Sequence, residues 1–243
     1  MSGHSKWSQI KRQKGTADLR RGQLFGKLAK AIIVAAKNGN DSNTNLNLKV
    51  AIEKAHAINM PKESIDRAIK RGSGEIEGTK IEEVLYEAIG PARIVMIIEA
   101  ATDNKNRTTA EIKNTLNKYQ GKLAGAGAVT YQFDRMGKLV IEAAPKQEEI
   151  ELKIIDLGAE DFEEQNGEIT VYTRPEKLSE ISKALEDQKI SVKEASLSWE
   201  PKNVVKIEDE KEINNILTMM EKIENLDDVV AIYPNFDLPK EMI

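Results

Sequence analysis

Charge is divided unevenly along this chain of 243 residues, and that division constrains its organisation more than any other feature. Residues 1–72 carry 15 Lys and Arg against 5 Asp and Glu, whereas residues 73–243 carry 21 against 35. The formal net charge of -4 for the whole chain conceals this contrast. Asymmetry of this size predicts a basic module joined to an acidic body.

Helical periodicity predicts a small three-helix bundle within the basic region. Apolar residues recur at helical spacing over residues 17–38 and again over residues 48–58. A third helix is predicted to begin at Pro61, a favoured first helical position, and to end near Gly72. Basic side chains are expected on the first helix, opposite its apolar stripe: Arg20, Lys27, Lys30 and Lys37.

Beyond the bundle the periodicity is that of strands and helices in alternation. The apolar run over residues 94–98 predicts a central strand, and alternation over residues 129–133 predicts a strand with one buried face. Residues 137–199 follow the order βαββαβ, which is typical of ferredoxin-like domains. The elements after residue 203 lack partners of their own, so we expect them to return to the first sheet.

The predicted fold class is therefore α+β and multidomain. We expect a basic N-terminal arm and helical domain over residues 1–75. A discontinuous α+β domain is expected over residues 76–135 and 203–243, with a ferredoxin-like α+β domain, residues 136–202, inserted in it.

Composition argues against an enzyme and against a membrane protein. The chain has no Cys and only two His, so thiol chemistry and the usual multi-His metal sites lack support, and we expect no cofactor and no metal. No apolar run approaches the roughly 18 residues of a membrane span, and no apolar leader follows Met1. We therefore expect a cytoplasmic protein.

The N-terminal cations are the strongest indication of a partner, because Lys and Arg that neutralise phosphates supply sequence-independent affinity for nucleic acid. Trp7 lies among them and could stack on a base or anchor the arm to the bundle. Lys62 is expected at a helix N-terminus, where anions are attracted, although ordinary turn chemistry also explains that segment. The alternative for the whole set is a solvated charged face.

Several motifs resemble those of the YebC family. They are Gly3-His4-Ser5-Lys6-Trp7, Asn59-Met60-Pro61-Lys62 and the segment from Thr102 to Thr108, in the order in which that family has them. The family includes bacterial proteins described as probable transcriptional regulators and a mitochondrial translational activator of a cytochrome oxidase subunit. The resemblance covers nearly the whole chain and implies three domains, with the ferredoxin-like one inserted in the other α+β domain.

Functionally, the resemblance implies a ribosome-associated factor that helps translation through stall-prone nascent sequences such as proline runs. The predicted partner is ribosomal RNA, and the predicted chain is a monomer without a membrane contact. The resemblance alone adds His4, Met60 and Pro61 to the candidate contacts. The full set of candidates is His4, Lys6, Trp7, Lys11, Arg12, Lys14, Arg20, Arg21, Lys27, Lys30, Met60, Pro61 and Lys62.

Two other functions remain open from the sequence. A regulator that binds duplex DNA needs a helix with side chains that read base edges, and no helix here has an evident cluster of Asn, Gln and Arg. An interaction scaffold would use the acidic body to bind protein partners and would not need the basic arm.

Overall fold

The structure is a computed structural model that describes residues 21–142, 147–165 and 167–238. Its helices are α1 (Arg21–Ala36), α2 (Leu46–Ala57), α3 (Lys62–Gly72), α4 (Lys105–Lys118), α5 (Gln147–Asp156), α6 (Leu178–Asp187) and α7 (Glu210–Glu224). Its strands are β1 (Glu82–Ile89), β2 (Val95–Thr102), β3 (Lys122–Leu123), β4 (Phe133–Glu142), β5 (Asp161–Gln165), β6 (Glu168–Thr173), β7 (Val192–Pro201), β8 (Val205–Lys206), β9 (Val229–Pro234) and β10 (Phe236–Asp237). The chain is thus a mixed α+β protein, as predicted.

Helices α1, α2 and α3 form the predicted bundle, which we call the helical unit. The side chain of Asn45 caps α2 by accepting a hydrogen bond from the backbone N–H of Leu48 (3.1 Å). Pro61 precedes α3, where its missing N–H costs nothing. The apolar faces of the helices share one core, which includes Ile32, Ala36, Leu48, Ala55, Met60, Ile65 and Ala68.

The first sheet is antiparallel and has the strand order β3-β1-β2-β9. Strand β2 pairs on both edges, so the apolar run that predicted a central strand does lie in the middle of a sheet. Helices α4 and α7 cover one face, where Ile112 and Ile216 lie in one core with Met96 and Ile98. Strand β9 comes near the end of the described chain and pairs with β2.

The second sheet is formed by residues that lie, in sequence, between β3 and β9 of the first sheet. Its elements follow the order βαββαβ from β4 to β7, and its antiparallel strands have the order β5-β6-β4-β7. Buried residues of α5 and α6, such as Ile154 and Leu185, share a core with Leu139 and Val171 from the strands. Strands β8 and β10 form a short parallel pair beside the first sheet.

The strand predicted over residues 129–133 is wrong. Residues Thr130–Gln132 form a turn of 3₁₀ helix, and Phe133 begins β4. The reason is a long-range contact: the carboxylate of Glu87 on β1 accepts hydrogen bonds from the backbone N–H groups of Gly127 (2.5 Å), Val129 (2.6 Å) and Thr130 (2.9 Å). These groups therefore bond to a side chain and not to a neighbouring strand.

The helical unit contacts both sheets. Ala101 of β2 shares the core of the helical unit, and Val50 of α2 shares the core of the second sheet. Burial of apolar residues from different elements in common cores holds the three parts together. Among the described residues, no helix is long and apolar enough to cross a bilayer.

Candidate nucleic-acid interface

The candidate residues of the basic arm lie outside the described residues. They are His4, Lys6, Trp7, Lys11, Arg12, Lys14 and Arg20. Arg21 is the first residue of α1, but its side chain also lies outside the described part. The structure therefore locates only Lys27, Lys30, Met60, Pro61 and Lys62 of the predicted set.

Two of these residues, Lys27 and Lys30, contact the acidic body. The ammonium group of Lys27 donates to the backbone carbonyls of Glu224 and Val229, the latter at 3.1 Å. Lys30 donates to the carbonyl of Asp227 (3.2 Å) and forms an ion pair with the carboxylate of Asp228. Both lysines therefore bind α1 to the chain that runs from the end of α7 to the start of β9.

Asp228 is the centre of this contact, and its side chain is 1% exposed. Its second carboxylate oxygen accepts hydrogen bonds from Arg107 (2.7 Å), Thr108 (2.6 Å) and Thr102 (3.0 Å). Burial alone would raise the pKa of Asp228, but the hydrogen bonds from Lys30, Thr108 and Arg107 outweigh it and lower the pKa well below its ordinary value. The carboxylate is thus held ionised.

The segment from Thr102 to Thr108 thereby has a structural role. Asn104 caps α4 by accepting from the backbone N–H of Arg107 (3.1 Å). The guanidinium of Arg107 bridges Asp103 (2.9 Å) and Asp228, and these two partners raise its pKa. Arg107 is therefore bound to two protein carboxylates.

Lysines of α2 make similar contacts with the second sheet. Lys49 pairs with Glu186 of α6 at 3.1 Å, and Lys54 pairs with Glu194 of β7 at 3.0 Å. Exposed pairs of this kind contribute little stability each. They do show that the positive charge of the helical unit is partly matched by carboxylates of the body.

Helix α3 is different, because it presents cations to solvent. Lys62 is its first residue, and the side chains of Lys62, Arg67 and Lys70 are exposed. Neither Lys62 nor Arg67 forms an ion pair with another described residue. Pro61 is also exposed. Since the first turn of a helix offers backbone N–H groups as well, this end of α3 is suited to an anion.

These positions correct the expected cationic surface in two respects. The predicted basic stripe of α1 does not form a free face, because Lys27 and Lys30 bind protein acceptors. These acceptors lie about two hundred residues later in the chain, so no local sequence pattern could indicate them. Met60 was expected to contact nucleic acid, but it is 5% exposed and lies in the core of the helical unit. Among the described candidates, Pro61 and Lys62 remain at the surface.

A second polar cluster lies in a cleft of about 660 Å³ where the helical unit and the two sheets meet. Glu99 of β2 accepts hydrogen bonds from Arg135 (2.5 Å), Trp199 (3.0 Å) and Tyr233 (3.0 Å). The guanidinium of Arg135 also lies 4.9 Å from the centre of the Trp199 ring. Burial, together with the charge of Glu99, raises the pKa of Tyr233 well above its ordinary value.

Sequence reasoning missed the partners of Glu99 and Glu87, because each carboxylate bonds groups that are distant along the chain. Glu99 has one local indication, which is its position as a Glu within the otherwise apolar run from Val95 to Ala101. Across the ranges that the structure describes, no group of three or more His, Asp or Glu side chains is arranged to hold a metal ion.

Comparisons with known proteins agree with this architecture. A family model described as the TACO1/YebC protein N-terminal domain matches residues 5–75, and one described as the TACO1/YebC second and third domain matches residues 81–236. A probable transcriptional regulatory protein of Maridesulfovibrio salexigens is 43% identical over all of this chain and 98% of its own length. One of Aquifex aeolicus is 40% identical with the same coverage.

A solved structure has the same fold. The crystal structure of a conserved hypothetical protein of Aquifex aeolicus superposes with a TM-score of 0.86 at 39% identity, over 98% of this chain and 99% of that one. The two family models together cover most of the described chain, and the relatives match it from end to end. The chain therefore belongs to the TACO1/YebC family.

Proposed function

We propose that this protein is a ribosome-associated, RNA-binding translation factor that promotes synthesis through stall-prone nascent sequences such as proline runs. The observation that carries the proposal is the solvent-facing side of α3, where Lys62 and Arg67 lie exposed on a strongly basic unit. Membership of the TACO1/YebC family supports it, because resemblance to that family implies such a role.

The proposed mode of action is positional. Lys and Arg side chains of α3 and of the N-terminal arm neutralise RNA phosphates and release counterions, which gives affinity without a sequence code. The contact between Lys30 and Asp228 fixes the direction in which α3 faces relative to the acidic body. The protein would then favour a productive arrangement of stalled substrates by binding alone, without acting as an enzyme.

We further propose that the chain works as a monomer in the cytoplasm. Its proposed parts are residues 1–75, residues 76–135 with 203–243, and an inserted ferredoxin-like domain over residues 136–202. The pairing of β9 with β2 supports this division, because it joins residues on either side of the inserted part in one sheet, although β4 of the second sheet begins at Phe133, shortly before the proposed boundary. A ribosome-bound role needs no second copy of the chain.

Binding to duplex DNA as a transcriptional regulator is the second candidate, and the names of the relatives favour it. Helix α3 fits this reading less well. Its exposed side chains include the acidic Glu63 and Asp66 beside the cations, and it contains no Asn or Gln that could read base edges. This composition suits contacts to phosphate more than recognition of a DNA sequence.

Co-sedimentation with purified ribosomes tests the proposal. The variant Lys62→Glu/Arg67→Glu is expected to bind ribosomes with an affinity at least about tenfold lower, because it replaces attraction to phosphate by repulsion. Glu is favourable in the first turn of a helix, so the change at residue 62 should not weaken α3. The control is Lys153→Glu/Lys183→Glu, which changes the net charge equally on the second sheet's helices.

Equal binding by both variants and the unmodified chain would contradict the role of α3. Ribosome profiling with and without the protein then separates the two candidate functions. If ribosome pausing at proline-rich codons increases when the protein is absent while transcript levels stay constant, the result supports the translation factor. Transcript changes without altered pausing, together with a preference for duplex DNA over structured RNA at matched salt, would instead support the regulator.

A further inference from the structure

One corner of the first sheet departs from the acidic character of the body. From Ile112 to Phe133 the chain has three lysines and no Asp or Glu, although residues 73–243 as a whole have a large excess of acids. The lysines of this segment, Lys113, Lys118 and Lys122, are exposed, as is Arg93 in the turn between β1 and β2. None of the four forms an ion pair with another described residue.

Three of these cations lie near the same end of β1. Lys118 ends α4, and a tight turn closed by the Gly121 N–H to the Leu116 carbonyl (2.9 Å) leads directly to Lys122. Lys122 pairs with Ile89, the last residue of β1. Arg93 follows in the turn that the Gly90 N–H closes by donating to the carbonyl of Ile94 (2.8 Å). Lys118, Lys122 and Arg93 thus surround the same end of β1.

An exposed aromatic residue lies on the loop beside them. Tyr131 is 68% exposed, which is unusual for so large a ring in a structure with well-filled cores. Residues directly opposite each other in an antiparallel pair project from the same face, so Lys122 shares the face of Ile89 and of Glu87. That is the face on which Glu87 holds the loop before Tyr131.

The loop is held firmly although its tip is exposed. The Glu87 carboxylate is buried and accepts three backbone N–H groups, and Val129 inserts into a core with Val95 and Ile97. Burial would raise the pKa of Glu87, but these hydrogen bonds outweigh it and lower the pKa. A tyrosine on a backbone held in this way has only its two side-chain torsions to order when a ligand stacks on it.

We infer that Lys118, Lys122, Arg93 and Tyr131 form a second RNA-binding surface, which takes unpaired nucleotides. The lysines and the arginine would contact phosphates, and the tyrosine ring would stack on one base. Cations combined with a solvent-facing aromatic ring are the features that hold single-stranded RNA without sequence preference. This inference rests on the proposed function and adds a contact on the acidic body itself.

The position of this surface indicates a bridging role. The helical unit contacts the sheet near Ala101, at the end where Glu82 pairs with Thr102, whereas the second surface lies at the Ile89 end. Strand β1 has eight residues, so the two ends are about 24 Å apart at roughly 3.4 Å per residue. The same RNA, or two segments of a folded RNA, would contact α3 on the helical unit and the second surface at the opposite end of β1.

The test measures binding of the full-length chain to a short unpaired uridine oligonucleotide and to ribosomes. Tyr131→Ala is expected to weaken binding of the oligonucleotide about tenfold, since stacking of one base is lost, whereas Tyr131→Phe retains the ring and the affinity. Lys118→Glu/Lys122→Glu should weaken binding and reduce the slope of log affinity against log salt by about 1.4. Thermal unfolding midpoints identify any variant that is misfolded.

The outcomes separate the two proposals. Full affinity of both the Tyr131→Ala and the Lys118→Glu/Lys122→Glu variants, while Lys62→Glu/Arg67→Glu loses binding, would overturn the second surface and leave the proposed function intact. Equal weakening by Lys153→Glu/Lys183→Glu would also overturn it, because net charge alone would then explain the loss. Absence of RNA and ribosome binding by the unmodified chain would defeat the proposed function itself.

Discussion

The ammonium group of Lys30 contacts the carboxylate of Asp228, which lies 198 residues later in the chain. This pair joins the first described helix to the last part of the first sheet. Asp228 also accepts hydrogen bonds from Thr102, Arg107 and Thr108. One buried carboxylate therefore binds four donors, which come from α1, β2 and α4. Asp228 is therefore one of the main contacts that orient the helical unit, together with the carbonyls that Lys27 binds and the shared apolar cores.

Replacement of Asp228 should destabilise the whole chain. Asp228→Ala leaves Lys30 and Arg107 without their common partner, and loss of one member of a buried ion pair costs about 3 kcal/mol of unfolding free energy. Asp227→Ala, at the exposed neighbouring position, is expected to change stability by less than about 0.5 kcal/mol. Urea unfolding followed by circular dichroism measures both, and equal effects would contradict the central role of Asp228.

The same carboxylate predicts a pH dependence. Its pKa is lower in the folded chain than the value of about 3.9 for an unfolded Asp, so its contribution to stability is complete above about pH 5. As pH falls below about 4 the unfolded state takes up the proton first, and the contribution decreases by up to about 1.4 kcal/mol per pH unit. The stability difference between the unmodified chain and Asp228→Asn should therefore shrink between pH 4 and pH 2 and stay constant from pH 5 to pH 7.

Glu87 should control the loop that carries Tyr131. Glu87→Ala removes the acceptor of three backbone N–H groups and is expected to cost about 2 to 4 kcal/mol. Hydrogen exchange measures the effect locally: the amides of Val129 and Thr130 should lose protection, whereas those of α3 should keep it. Glu83→Ala, an exposed change on the same strand, serves as the control and should leave all of these amides protected.

Two glycines of the helical unit should respond in opposite directions to the same change. A Cβ on Gly72 would meet the Ile33 carbonyl and the Ala36 side chain closer than real Cβ atoms approach, so Gly72→Ala should destabilise by about 1 to 3 kcal/mol. Gly26 lies in α1 with open space around it, so Gly26→Ala should stabilise by about 0.5 to 1 kcal/mol. Thermal unfolding compares the two, and a stabilising Gly72→Ala would contradict the close packing of α3 on α1.

The elements that depend on local pattern could be predicted from the sequence. The three N-terminal helices, the central strand β2 and the βαββαβ order all follow from the spacing of apolar residues, and the structure has them. Gly72 shows the limit of such reasoning. The sequence predicts that α3 ends near Gly72, and it does, but periodicity gives no indication that Gly72 packs tightly against α1.

Side-chain partners were less accessible to prediction. Periodicity placed Lys27 and Lys30 on one face of α1 but gave no information about what covers that face, because the carbonyls and the carboxylate that do so come from residues 224–229. Glu87 altered the local structure at residues 127–130 in the same way. The surface at Lys118 and Lys122 was hidden by the average acidity of the body, since a mean charge does not describe its distribution in space.

The eight-residue length of β1 has a further consequence. A strand inside a hydrogen-bonded sheet cannot stretch, and Asp228 and Ala101 attach the helical unit to the end of that sheet. If RNA occupies both cationic surfaces, the fixed length of β1 limits how far the two phosphate-rich segments can move relative to each other. Selectivity would then arise from the geometry of the folded RNA, and a chain that reads no bases could still discriminate between RNAs of different shape.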